Sequence, residues 1–230
     1  MKNTCKKIIK LSAVLALAGM PAALMANPIT SEPTVSLTLN TLDTTEFSIP
    51  NGTEGYGGPF NASTSANGNF ITFCVQTEVD INTSTTYYYT LSQSDSSGVL
   101  TLGAAYLYSS YLNGSLGQFT TATEYGELQA AIWTLQGQNF SNPSALGSLT
   151  SNPYLIDAVN AATALGKSDT NASNGAYGVE IMNITDSTGD AVQNQLIEVP
   201  DACSTALLLG AMLPVGFILR KKLGMVAAKN

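Results

Sequence analysis

A cysteine and a glutamine in the central part of the chain have side chains that can react with each other. Cys74 lies in the apolar segment Phe-Ile-Thr-Phe-Cys-Val, and Gln129 lies one helical turn before Trp133. A thiol placed against a carboxamide carbon can attack it, expel ammonia and leave a thioester. Burial keeps water away from this electrophile, and the reaction needs no ionised neighbour. Cys74 and Gln129 are therefore the candidate pair for thioester chemistry.

The alternative role for Cys74 is structural. Cys5 and Cys203 lie in the terminal segments, which leaves Cys74 without a disulfide partner in the central part of the chain. In a strand over residues 70–75, Phe70, Thr72 and Cys74 share one face. If helices cover that face, the cysteine is a small residue of the core. The residue pattern leaves both interpretations open.

Other chemistries are excluded or weakly supported. The absence of histidine rules out Ser-His-Asp and Cys-His catalysis and histidine-ligated metals. A cysteine hydrolase would need a thiolate, and Lys167 is the only basic residue in the central part of the chain. The acidic pairs Glu78 with Asp80 and Glu124 with Glu127 are typical of solvated surface charge. We therefore expect no metal, no cofactor and no catalytic turnover.

The charge distribution argues against nucleic acid as a partner. All 16 acidic residues lie between Glu32 and Asp201, whereas the basic residues other than Lys167 lie near the two ends. Such an acidic surface repels a phosphate backbone.

Hydrophobic patterning predicts the elements that must position the pair. Alternation and β-prone residues predict strands, and helical spacing with Asn or Gly at the ends predicts helices. The predicted strands cover residues 35–39, 70–75, 87–91, 178–184 and 195–199; the predicted helices cover 104–112, 125–136 and 153–166; loops are expected at 51–69 and 168–175. Strands on both sides of a helical segment predict an α+β fold, with a β-sheet or sandwich and a helical insert.

The segments around the pair resemble a known family. Phe73-Cys74-Val75, the helical stretch at 104–108 and the hexad Leu-Gln-Ala-Ala-Ile-Trp at 128–133 are similar to the Cys–Gln thioester domains of bacterial surface adhesins, over about residues 70–165. The resemblance implies that Cys74 and Gln129 are cross-linked, with Phe73, Ile132 and Trp133 in supporting positions. It also implies that amines on a target surface attack the bond and form an amide with Gln129.

Both ends of the chain have the composition of targeting segments. A lysine-rich start and an apolar run predict a signal peptide over residues 1–26; an uncleaved anchor is the alternative. Residues 202–219 carry no charge and are followed by a basic cluster, which predicts one transmembrane helix with its basic tail, 220–230, in the cytoplasm.

The junction with this apolar segment resembles a sorting signal. Val199-Pro200-Asp201 and the residues up to 205, then the apolar run and the basic cluster, are similar to the VPDSG-CTERM variant of PEP-CTERM signals. The resemblance implies an exosortase-type processing enzyme as a partner. A plain single-span anchor is the alternative.

The sequence thus predicts three parts: a signal peptide at 1–26, an exported thioester-type domain at 27–197 and a C-terminal sorting signal at 198–230. The expected localisation is the cell envelope, with at least transient anchoring in the inner membrane before the cell surface or the extracellular space. The predicted function is covalent or adhesive attachment to surface amines or a matrix polymer. The alternative is a non-reactive structural protein of the extracellular matrix or biofilm that carries the same signal.

Overall fold

The computed structural model describes residues 33–39, 45–49, 54–83 and 85–199. The predicted signal peptide, the apolar segment 202–219, the basic tail and the motif residues Pro200 and Asp201 lie outside these ranges. Within them, no helix has both the length and the apolar character needed to cross a membrane.

Most of the strands belong to one antiparallel sheet. The strands are β1 Thr34–Leu39, β2 Thr45–Ser48, β3 Glu54–Gly57, β4 Phe60–Thr64, β5 Gly68–Thr72, β6 Thr86–Ser92, β7 Ser94–Asp95, β8 Gly98–Val99, β9 Val179–Thr185 and β10 Gln195–Glu198. Six of them form the main sheet in the order β10-β9-β6-β1-β4-β5, while β2 pairs with β3 and β7 pairs with β8.

The two edges of the main sheet meet, so that the sheet is nearly closed. Beyond β5 the chain continues alongside β10, where the N–H of Val75 donates to the carbonyl of Asn194 at 3.0 Å and the N–H of Leu196 donates to the carbonyl of Phe73 at 3.1 Å. Cys74 lies between these two bonds, directly opposite Gln195. We call this junction, residues 73–75 with 194–196, the seam.

The helical segment lies between β8 and β9, as the sequence predicts. Its α-helices are α1 Leu102–Leu112, α2 Ala122–Leu135 and α3 Pro153–Ala164. Helix α2 begins three residues before the predicted start because Thr121 and Glu124 form a capping box. Helix α3 begins as predicted, with the Asn152 side chain accepting from the N–H groups of Tyr154 and Leu155.

Two apolar clusters lie on opposite faces of the seam, because successive residues of an extended chain point to opposite sides. The outer cluster holds Phe73, Val75 and Leu196 with the apolar sides of α1, α2 and α3. The inner cluster holds Cys74 and Ile197 with residues of β1, β2, β4, β6 and β9. Helix α2 contributes to both clusters.

The mixed α and β composition is confirmed, but the loop expected at residues 51–69 is wrong. Strands β3 and β4 occupy much of it. In β4, Phe60, Ala62 and Thr64 are buried, while Asn61 and Ser63 are exposed. This alternation is that of a strand, but small and polar residues make the apolar pattern weak. The glycines of this segment indicate a loop, yet in the structure Gly57 allows close packing against helix α2.

Candidate functional site: the Cys74–Gln129 pair

Helix α2 carries Gln129 into the inner cluster. Leu128, Ile132 and Leu135 pack in the outer cluster, whereas Ala130 and Trp133 pack in the inner one. Gln129 lies one turn before Trp133, on the side of the helix that faces inward, and its side chain is completely buried. A buried carboxamide must find hydrogen-bond partners, and those partners define the site.

The carboxamide of Gln129 pairs with the main chain of Cys74. Its Oε1 accepts from the N–H of Cys74 at 3.2 Å, and its Nε2 donates to the carbonyl oxygen of Cys74 at 2.8 Å. The same Oε1 accepts a second N–H, that of Gly58, at 3.3 Å. The structure thus brings the two predicted residues together, although they are far apart in sequence.

The last residue of β3, Gly57, leaves room for this arrangement only because it has no side chain. A Cβ at Gly57 would lie 2.8 Å from Cγ of Gln129, 2.8 Å from Phe47 and 2.9 Å from Trp133. Gly58, which follows, has a φ of +130°, a value that residues with a side chain rarely adopt. These two glycines let the backbone approach Gln129 closely and direct the Gly58 N–H towards it.

The thiol of Cys74 is enclosed by glutamine side chains. Sγ donates to Oε1 of Gln193 at 3.1 Å and lies 3.5 Å from Nε2 of Gln195, which donates to it. Gln193 in turn donates from Nε2 to the carbonyl of Gln76 at 3.0 Å. The thiol is fully buried, and the loss of hydration raises its pKa to about 12, although the Gln195 hydrogen bond acts in the opposite direction. Cys74 is therefore a protonated thiol at neutral pH.

The three predicted supporting residues pack on the two sides of the seam. The Phe73 ring lies edge-on to Tyr111 on α1, with centroids 5.1 Å apart, and Ile132 is buried in the same outer cluster. Trp133 lies in the inner cluster, edge-on to Phe47 at 4.8 Å. Its indole N–H is buried and has no hydrogen-bond partner among the described residues. These contacts hold strand and helix at a fixed separation.

The geometry is suited to acyl chemistry at the Gln129 carboxamide. When a nucleophile adds to its carbon, the negative charge develops on Oε1, where the N–H groups of Cys74 and Gly58 already converge. Two backbone donors on a developing oxyanion are a recurrent means of stabilising a tetrahedral intermediate. Within the described part of the chain, no three Cys, Asp or Glu side chains are grouped in a way that could hold a metal ion.

Gly57, Gly58, Gln193 and Gln195 were not predicted as site residues. Adjacent glycines before a proline could have indicated a close approach of the backbone to another side chain. The same pattern is equally typical of a turn. Gln195 is the first residue of β10 and Gln193 lies two positions before it, a spacing that is a weaker signal. Of the predicted sorting motif, Val199 is described; its N–H donates to the carbonyl of Gly178 at 2.7 Å.

Comparisons of the chain with models of protein families, with curated proteins and with solved structures found no match.

Proposed function

We propose that this protein forms an internal thioester between Cys74 and Gln129 and uses it for covalent attachment to amines on a surface or matrix polymer. The supporting observation is that the carboxamide of Gln129, itself buried, is hydrogen-bonded to the main chain of the residue that carries the only cysteine thiol among the described residues. No histidine, metal or cofactor is needed for this reaction.

Formation of the bond is a balanced exchange. Sγ of Cys74 bonds to the side-chain carbonyl carbon of Gln129, and the bond from that carbon to Nε2 breaks. The thiol proton moves to the departing nitrogen, which leaves as ammonia. Because burial keeps the thiol protonated, proton transfer accompanies the attack on the carbon. The N–H groups of Cys74 and Gly58 stabilise the oxyanion.

Reaction with a target uses the same oxyanion donors. An amine adds to the thioester carbon, a carbon–nitrogen bond forms and the carbon–sulfur bond breaks. The nitrogen gives up a proton and the sulfur receives one, which leaves an amide on Gln129 and a free thiol on Cys74. A thiol of high pKa is a poor leaving group unless it is protonated, and this slows premature loss of the bond. Each molecule reacts once, so we do not regard the protein as an enzyme.

The terminal segments support a place in the cell envelope. A signal peptide at 1–26 would export the domain. The motif beginning at Val199, the apolar segment 202–219 and the basic tail would hold it at the inner membrane for an exosortase-type enzyme. Because Val199 pairs with Gly178, a truncation that tests this anchor should follow Val199. Retention of the truncated protein in membranes as before would contradict the anchor.

The thioester is tested by the intact mass of the purified protein. We expect a mass lower by one ammonia than the mass calculated for the chain as purified, after any removal of its terminal segments, and treatment with methylamine should add one methylamine while releasing one thiol. Cys74→Ser should show its full mass and no reaction with methylamine. A wild-type mass equal to the mass calculated for the purified chain would contradict the thioester.

One observation favours the second candidate, a non-reactive matrix or biofilm protein. Sγ of Cys74 already donates to Gln193, and the carboxamide of Gln129 is satisfied by backbone partners. As a set of buried hydrogen bonds the site is complete without a covalent bond. The mass measurement separates the two functions directly.

A further inference from the structure

A cavity of about 220 Å³ opens to solvent beside the thiol. Trp133 and Gln193 form part of its lining, and the side-chain oxygen of Gln193 is the acceptor for Cys74 Sγ. Gln193 therefore lines the cavity and also contacts the thiol. Since a water molecule occupies about 30 Å³ of liquid, the cavity is large enough for a small organic group.

The lining of the cavity has the chemistry of a site for an organic cation. Asp80, which is exposed, contributes a carboxylate, and Tyr56, which is also exposed, contributes an aromatic ring. Carboxylates attract ammonium groups, and aromatic faces add a cation–π attraction. Lys167, the only basic residue among those described, does not line the cavity.

We infer that this cavity is the path by which the nucleophile reaches the Cys74–Gln129 bond, and that Asp80 makes it selective for alkylamines over anionic nucleophiles. This inference rests on the proposed function. When an amine adds to the thioester carbon, positive charge develops on its nitrogen, and a carboxylate in the cavity stabilises that charge. A thiolate that adds to the same carbon brings negative charge past Asp80 and is repelled.

The reaction would proceed along this path without further components. The amine passes Asp80, displaces the Gln193 side chain and adds to the Gln129 carbonyl carbon. The nitrogen loses one proton to solvent, and the departing sulfur of Cys74 becomes a thiol. Gln193 is thus a positioning residue that closes the path, and Asp80 determines specificity.

The test compares two small nucleophiles on the full chain, ethylamine and 2-mercaptoethanol, with rates taken from intact mass. Asp80→Asn should lower the rate of reaction with ethylamine by about two- to fivefold, which is the effect of one surface charge. The rate of reaction with 2-mercaptoethanol should stay unchanged or rise. Glu78→Gln is the matched control, because Glu78 is also exposed but does not line the cavity. Its two rates should equal those of the wild type.

A second variant adds charge rather than removing it. Thr83 also lines the cavity. Thr83→Lys should lower the rate of reaction with ethylamine and raise the rate of reaction with 2-mercaptoethanol. The inference is overturned if Asp80→Asn and Thr83→Lys both change the two rates by the same factor or not at all. If the wild-type protein shows no loss of ammonia in its mass, the proposed thioester is contradicted, and this role for the cavity falls with it.

Discussion

The side-chain amide of Gln129 makes a two-point hydrogen-bonded pair with the main chain of Cys74, at 3.2 Å to the N–H and 2.8 Å to the carbonyl. The pair joins helix α2 to the seam of a nearly closed sheet. It fixes the carboxamide beside the cysteine, and the added N–H of Gly58 completes a set of donors around Oε1.

Gly57→Ala should prevent the carboxamide from taking its position. The new Cβ would lie 2.8 Å from Cγ of Gln129, and overpacking of this kind costs about 1–3 kcal/mol. We expect lower stability in chemical denaturation and a smaller fraction of molecules with the ammonia-deficient mass. Gly55→Ala, in the same strand, meets only the flexible end of Ile49 and should keep the wild-type fraction. Equal fractions in the two variants would show that the close approach at Gly57 is unimportant.

Gln129→Met should abolish the thioester and also weaken the fold. Methionine leaves the N–H and carbonyl of Cys74 and the N–H of Gly58 without these partners, and each buried unpaired group costs about 1–3 kcal/mol. The measurement uses a Cys74→Ala background, which excludes any covalent contribution. The free energy of unfolding should fall by at least about 3 kcal/mol, the sum of three such costs at their lower limit.

Gln138→Met provides the comparison for that loss. Its side-chain oxygen accepts from the N–H of Thr77 at a partly buried position, so we expect a smaller decrease and, with Cys74 present, an unchanged thioester. If the two methionine variants were equally stable, the Gln129 hydrogen bonds would contribute no more to the free energy of unfolding than the single bond of Gln138.

The sequence predicted much of this arrangement because its signals are local. The Asn152 cap and the helical spacing of Gln129 and Trp133 are each contained within a single segment, whereas the Thr121 cap that begins α2 was missed. The hydrogen bond from the Gly58 N–H to Gln129 joins residues 71 positions apart in the chain, and the bond from the Cys74 thiol to Gln193 joins residues 119 positions apart. Contacts of that kind depend on how the sheet closes, which no local pattern specifies.

Trp133→Ala should shorten the lifetime of the thioester. Trp133 lines the cavity beside Gln193 and packs against Phe47, so its removal admits water and costs about 3–5 kcal/mol. Ile132→Ala removes a neighbouring side chain from the other cluster and should cost about 2–5 kcal/mol. We expect faster hydrolysis, followed by mass, only in the tryptophan variant. Equally fast hydrolysis in both would indicate general loosening rather than local exclusion of water.

The amine-treated protein, in which Cys74 is a free thiol, should lose stability at high pH. The folded state holds the thiol proton up to a pKa of about 12, above the ordinary value of 9.0. The thiol therefore favours the folded state fully below pH 9, and this contribution disappears as the pH rises towards 12. We expect the free energy of unfolding to fall by up to about 4 kcal/mol relative to Cys74→Ala. That variant is the control because it has the same tyrosines, which also titrate at high pH. Parallel pH profiles of the two proteins would contradict a deeply buried thiol.

The most direct test of the central claim is digestion with a protease that cleaves after glutamate, followed by mass spectrometry of the peptides. Cleavage after Glu54, Glu78, Glu127 and Glu180 separates peptide 55–78, which contains Cys74, from peptide 128–180, which contains Gln129. We predict that the two peptides are recovered as one linked species, lighter than their sum by one ammonia, and that methylamine treatment before digestion separates them. Recovery of both peptides unlinked and at full mass from untreated protein would contradict the account.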